Sequence, residues 1–414
     1  MRSESPRRSD QESSAVRIAI LPLSYLPTIG GAEFVVHNAA LEHERAGHTV
    51  AVFPNLESRS VWRHVPYTTV PVWRRAWSIA ANDGHDERGG AHVRNALRLR
   101  LHALQRWFKA DVWHIHAAHP VGWAVIDVLQ RELHVPVVIT SHGGDIYDYE
   151  SAASGTNEAF GEDIELRVHR TLHSADALIA VGPKVEASYF GYGIAPEKIA
   201  TIPHGWHPDR VADAAANASQ TRHAIGAGDG LVALTVAADR PEKRLDDLLE
   251  VATLLDDSSW TLVVATVGDR FANEVVRRGL GHRIIVRQEQ SLSPIDLQRG
   301  LPRQAILDLY GLADVMILPS LIEASPTVVH EAFTAGCPVL ITSDAASGVV
   351  DDGVNATIVQ ARQPEAIANA LRRLEDDRSL RTRLANGAQS TGSAFPTWAT
   401  VAERHRDVYT SVID

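Results

Sequence analysis

The sequence predicts an α/β protein made of two doubly wound parallel-sheet domains. Short apolar runs alternate with stretches of helical periodicity along the whole chain, the pattern of strands covered on both faces by crossover helices. At 414 residues the chain exceeds one ordinary domain. A polar stretch rich in Ala and Gly at 208–230 then splits the pattern into two comparable halves and reads as a linker.

The first domain is expected over residues 16–207. It opens with a strand at 16–21, followed by a loop carrying Gly30 and Gly31 and a helix with Val35, Val36, Ala39 and Ala40 on one face, ending near Gly47. Further strands are expected at 48–53, 112–115, 137–140, 177–181 and 198–202, with a polar loop at 76–92. Between 93 and 109, Leu97, Leu101, Leu104 and Phe108 follow helical spacing while Arg94, Arg98, Arg100, Arg106 and Lys109 cover the remainder. Such a helix can lie on an anionic membrane surface, but packing on the sheet with a basic outer face is the favoured reading. The second domain is expected over 231–395, with strands at 231–236, 261–265, 283–286, 315–318 and 339–342. A last helix starts near Thr397.

Composition narrows the function. Hydrophobic residues make up 45% and charged residues 22%, enough apolar material for two cores. No run approaches the roughly 20 apolar residues of a membrane span. Residues 1–15 are polar, without the apolar segment of a secretory signal, and are expected to be a disordered tail. Cys337 is the only cysteine, which rules out an intrachain disulfide and a cysteine-based metal site and fits a cytoplasmic setting. A net charge of −11 disfavours nucleic acid as a partner.

The most informative stretch runs from Leu318 to Leu340. A buried strand at 315–318 leads to Ser325 and Pro326, read as a helix N-cap followed by proline at the first helical position. Gly336 supplies the stop before the next strand. Glu323 then lies in the loop before the helix, and Glu331 lies on it, less than two turns in. The first amides of that helix, around Pro326, Thr327 and Val328, favour an anion in the cleft above the strand ends. Amides for a diphosphate and carboxylates for hydroxyls suit a sugar nucleotide.

This segment resembles the E-x7-E signature of the retaining glycosyltransferases of family 4, which have the GT-B fold of two Rossmann-like domains. The resemblance implies that Glu323 contacts the donor sugar and Glu331 the ribose hydroxyls. It also implies that the last helix, from 396 to 414, crosses back to the first domain. Thr28-Ile29-Gly30-Gly31-Ala32-Glu33 resembles the family's G-G-x-E segment, with Gly30 and Gly31 near the donor and Glu33 on the acceptor side. His142-Gly143-Gly144-Asp145 resembles H-G-x-D, whose histidine lies near the transferred sugar, with Asp145 orienting it or an acceptor. His114, His116 and His119 cluster after one strand. A metal site is the weaker reading of that cluster, and His116 and His119 are kept as acceptor-side candidates.

Ile202-Pro203-His204-Gly205-Trp206 stands where the family has I-P-N-G-V, so His204 and Trp206 are departures that bear on the acceptor or on a repacked hinge. Ala238-Asp239-Arg240-Pro241-Glu242-Lys243-Arg244 resembles G-R-L-x-P-E-K-G, whose Arg and Lys hold the diphosphate. Lys243 matches directly. Ala238 replaces the arginine, Arg240 is the nearest substitute, and Arg244 replaces a glycine. Val267-Gly268-Asp269 and residues 288–291 follow strands that border the nucleotide, and Gly268 would let it approach closely.

The resemblance implies a metal-independent, retaining transfer of sugar from a nucleotide-diphosphate sugar, UDP or GDP being the expected nucleotide, with no separate cofactor. The acceptor is left open between a small secondary metabolite and a glycan or lipid-linked precursor. Two alternatives stand beside it: a nucleotide-sugar epimerase of the same fold, and a non-catalytic sugar-nucleotide-binding partner protein, which Ala238 and Arg244 favour.

Overall fold

The computed structural model describes residues 15–55, 61–72, 87–146, 162–288 and 291–413. The tail expected at 1–15 lies outside them except for its last residue, as does most of the loop expected at 76–92 and the middle of the 288–291 segment.

Two parallel sheets form. The first contains β1 (Arg17–Pro22), β2 (Thr49–Val52), β3 (Thr68–Thr69), β4 (Val112–His116), β5 (Val137–Ser141), β6 (Ala177–Ala180) and β7 (Ile199–Thr201), in the order β3-β2-β1-β4-β5-β6-β7. The second contains β8 (Val232–Val236), β9 (Thr261–Thr266), β10 (Ile284–Gln288), β11 (Val315–Leu318), β12 (Val339–Thr342) and β13 (Ala356–Val359), in the order β10-β9-β8-β11-β12-β13. The inner strands are buried on both faces, which explains their unbroken Val, Ile and Leu runs. β3 and β13 escaped the sequence reading: both are edge strands, one two residues long and the other half-buried.

In chain order the helices are α1 (Gly31–Arg45), α2 (Glu87–Phe108), α3 (Trp123–Asp127), α4 (Glu162–Ser174), α5 (Pro183–Gly191), α6 (Pro208–Ile225) and α7 (Asp247–Leu254). After them come α8 (Arg270–Arg277), α9 (Pro294–Arg299), α10 (Gln304–Leu312), α11 (Thr327–Thr334), α12 (Pro364–Asp376), α13 (Arg378–Ser393) and α14 (Trp398–Ile413). In α2 the residues Leu97, Leu101, Leu104 and Phe108 are buried in the first domain's core, so its apolar stripe is turned away from any membrane surface. That helix begins earlier than expected and absorbs Gly89 and Gly90.

The supposed linker is the main correction. Most of 208–230 is the helix α6, ended by Gly226 in the left-handed conformation (φ 72°). Its alanines are helix formers and contact residues, not spacer. Ala214 is fully buried, and a side chain on Gly311 of α10 would lie 2.6 Å from the Ala214 carbonyl oxygen. Small residues therefore let α6 and α10 lie close together. Asn217 Nδ2 adds a bond of 3.2 Å to Asp308.

The last helix, α14, packs on α1 and the first sheet, burying Val401 and Tyr409 in that core. On another edge Asn38 of α1 bonds both main-chain groups of Leu301, at 2.7 and 2.8 Å. In each sheet the strand order reverses beside the first strand, at β1/β4 and at β8/β11. Loops leaving such switch points form ligand crevices, and here the two crevices face each other.

Candidate active site

A cleft of about 1220 Å³ lies between the domains. On the second-domain side, β8 ends in a tight turn at Pro241–Lys243, closed by Arg244 in the left-handed region (φ 55°, ψ 36°). The family's glycine suits that conformation; Arg244 adopts it and bonds Asp247, whose carboxylate is buried. The turn aims Lys243 at Glu323, Nζ to Oε1 2.7 Å, across the loop that follows β11. Glu323 is 7% exposed. Arg240 also lines the cleft and keeps an exposed guanidinium, 4.0 Å from Glu242.

Pro326 caps α11 and Thr327 is its first helical residue, one position later than the sequence suggested, and no side chain supplies a cap bond. Proline has no N–H, so the anion-favouring amides here start at Thr327 and Val328, both lining the cleft. The start of α1 meets them: a side chain on Gly31 would sit 3.1 Å from Thr327 Oγ1. Two helix N-termini, one from each domain, therefore converge on one point of the cleft wall. Glu331, half-buried on α11, is pushed up to about 7 by burial, while the Tyr310 hydroxyl and the Arg210 guanidinium pull the other way.

The first-domain wall carries Glu33, which accepts a bond from Ser24, together with His116, His142 and Asp145. Asp145 does not face a ligand freely. Its Oδ1 accepts the N–H groups of His142 (3.0 Å) and Gly143 (3.1 Å), and its Oδ2 that of Ala118 (2.7 Å). It shapes the loop that presents His142. The ring of His142 stacks on His204, with centroids 6.4 Å apart. Burial lowers His142 to about 4 and His204 to about 3.

Three sequence candidates are not among the residues lining the cleft: Gly268, His119 and Trp206. Trp206 pairs with Thr397 and donates its indole N–H to the Phe395 carbonyl at 3.0 Å, where the chain returns to the first domain. Within β4, His114 bonds Tyr409 and Thr140, both at 2.7 Å, and His116 bonds His142.

Family models match both halves of the chain: Glycosyltransferase Family 4 over residues 29–210 and Glycosyl transferases group 1 over residues 220–391. The chain belongs to the group 1, family 4 glycosyltransferases. A D-inositol 3-phosphate glycosyltransferase of Streptosporangium roseum is 29% identical over 75% of this chain and 72% of its own. A Bacillus subtilis protein named as a teichuronic acid biosynthesis glycosyltransferase is 25% identical over 78% of this chain and 76% of its own. Anabaena HepE in complex with UDP-glucose superposes with a TM-score of 0.72 at 16% identity, covering 95% of this chain and 99% of that one. These structural neighbours give the glycosyltransferase the GT-B fold.

Two cations of this glycosyltransferase went unnoticed in the sequence, Arg303 in the cleft wall and Lys184 bonded to the backbone of the cleft residue Glu323. Arg303, which precedes α10, adds a third cation to the second-domain wall. It follows a loop and not a strand, so no motif flagged it. Lys184 of α5 reaches from the first domain to the carbonyls of Asp344 (2.9 Å) and Glu323 (3.4 Å). Its place just after β6 was the available signal. Among the described residues no helix is long and apolar enough to cross a membrane.

Proposed function

We propose that this glycosyltransferase moves a sugar from a nucleotide-diphosphate sugar, with UDP or GDP as the nucleotide, to an acceptor hydroxyl with retention of anomeric configuration. One observation carries the reading: Lys243 and Glu323 pair at 2.7 Å beside the amides of α11, with Glu331 in the same cleft. The diphosphate takes the Thr327 and Val328 amides, Lys243 and Arg240, with Arg240 standing in for the arginine replaced by Ala238. Charge-assisted bonds of this kind contribute roughly 1.5–3 kcal/mol each. Glu323 and His142 hold the sugar, and Glu331 holds the ribose.

As the sugar–phosphate bond breaks, negative charge grows on the departing diphosphate, where cations and helix termini stabilise it most. The departing phosphate oxygen receives the acceptor proton on the same face of the sugar, so no enzyme nucleophile and no metal is needed. The acceptor approaches along the wall carrying Glu33, His116 and His204. The UDP-glucose bound by Anabaena HepE, a protein of this fold, supports a nucleotide-sugar donor.

A melting-temperature screen with UDP-, GDP-, ADP- and dTDP-sugars tests the donor, because a ligand that binds only the folded state raises the melting point. Proton NMR of the product then reads the anomeric configuration. An inverted product, or no shift with any sugar nucleotide, defeats the proposal.

A further inference from the structure

His116 and His142 are joined by one hydrogen bond, Nδ1 to Nε2, at 3.0 Å, with their ring planes 11° apart. A bond between two imidazole nitrogens holds a single proton, so one ring donates and the other accepts. The far nitrogens decide which. Both rings border the cleft, but His116 is 2% exposed and its Nε2 is buried without a hydrogen-bond partner, whereas His142 is only half-buried. If His142 donated, the remaining N–H of His116 would sit on that buried, partnerless Nε2. If His116 donates, both N–H groups are used: one in the bond, the other on His142 Nδ1, the nitrogen left for the cleft. Burying an unpaired donor is the costlier choice.

We propose that His116 is a positioning residue that fixes His142 as an uncharged N–H donor toward the transferred sugar, an inference that rests on the transferase reading above. Charging His142 would require its Nε2 to carry a proton, and His116 would then have to move its own N–H to the enclosed Nε2. The bond therefore opposes both the wrong tautomer and the imidazolium. That matters because glycosyl transfer develops positive charge at the sugar ring. An uncharged donor orients a hydroxyl without repelling that charge. His116 is itself held in place: its ring lies against His114, centroids 4.2 Å apart, and His114 is pinned by Tyr409 of α14 and Thr140 of β5.

Long-range proton–nitrogen NMR of the protein labelled with 15N-histidine tests this, with His142→Gln identifying the signals. The wild type is expected to show His142 protonated at Nδ1 and bare at Nε2. In His116→Phe that signal should shift to a tautomer mixture. Turnover should fall about tenfold or more, one lost hydrogen bond's worth, with donor KM changed less than about twofold. His116→Asn, whose amide can donate to Nε2, should recover part of the rate; it also serves if the Phe variant does not fold. A wild-type His142 protonated at Nε2, or wild-type turnover in His116→Phe, overturns the proposal. Calorimetry of the wild type with sugar nucleotides is read separately: no binding defeats the transferase reading, while the NMR still decides the tautomer.

Discussion

Lys243 and Glu323, eighty positions apart, meet at 2.7 Å in a cleft that both domains enclose. Glu323 is almost wholly buried, and its carboxylate occupies the ammonium that a diphosphate would use. Donor binding must therefore share or exchange this pair. Glu323→Gln removes the competitor and also the sugar's acceptor group. Free nucleoside diphosphate should bind several-fold tighter, on the order of 1 kcal/mol, while turnover drops at least about tenfold. Calorimetry with the diphosphate and initial rates measure the two, and a loss of both together would contradict the exchange.

Lys243→Ala acts in the opposite sense. It removes a cation whose value grows as the bond to the diphosphate breaks, so turnover should fall by a factor of about ten to a hundred. Donor dissociation constants should change less. Equal losses in both would mean that Lys243 holds the ground state only.

Arg244 shows how a departure from a motif is compensated. A non-glycine residue at φ 55° carries about 1–2 kcal/mol of strain. Yet Arg244 is the partner of the buried Asp247, and stranding a buried carboxylate costs more than that strain. Arg244→Gly should therefore destabilise the protein, by a net ~1–2 kcal/mol, and adding Asp247→Asn should recover part of the loss. Chemical denaturation checks both. A more stable Arg244→Gly would show that the ion pair contributes little.

The parts read correctly from sequence were those where one local pattern decides. The strands β11 and β12 and the stop at Gly336, with φ 72°, follow from apolar runs and one glycine. Placement beyond strand ends brought Lys243, Glu323, Glu331 and His142 to one cleft. What failed depended on partners distant in sequence. The alanines of α6 look like spacer until α10 lies against them. Trp206 looks like a cleft residue until Phe395 claims its N–H. Asp145 does line the cleft, but the three amides it accepts, of 118, 142 and 143, come from the folded loop and no motif announces them.

Glu331 gives donor binding a pH dependence. Burial raises it from 4.5 to about 7, so near neutrality it is divided between the acid and its carboxylate. Ribose hydroxyls donate to the carboxylate, hence affinity should be full above pH 8 and weaken as pH falls through 7, approaching tenfold per unit at the steepest. Glu331→Gln should bind more weakly and lose that dependence. Donor titrations between pH 6 and 8.5 measure it, and a flat wild-type profile would remove Glu331 from the ribose site.

The buried histidines act on stability with a different sign from Glu331. Burial lowers His37, His204, His207 and His330 to about 3, and His142 and His405 to about 4, against 6.5 in the unfolded chain. Below pH 6.5 the unfolded state binds protons that the folded state refuses, so stability is present above that pH and is lost as pH falls. Each ring adds a slope of up to about 1.4 kcal/mol per pH unit. Glu331, raised on folding, opposes this between 7 and 4.5 but is one group against six. Urea denaturation should therefore show a steep fall in stability between pH 6.5 and 5. His405→Phe and His330→Phe should flatten it, since each removes one refused proton; an unchanged slope in both would mean that these rings are charged in the folded protein.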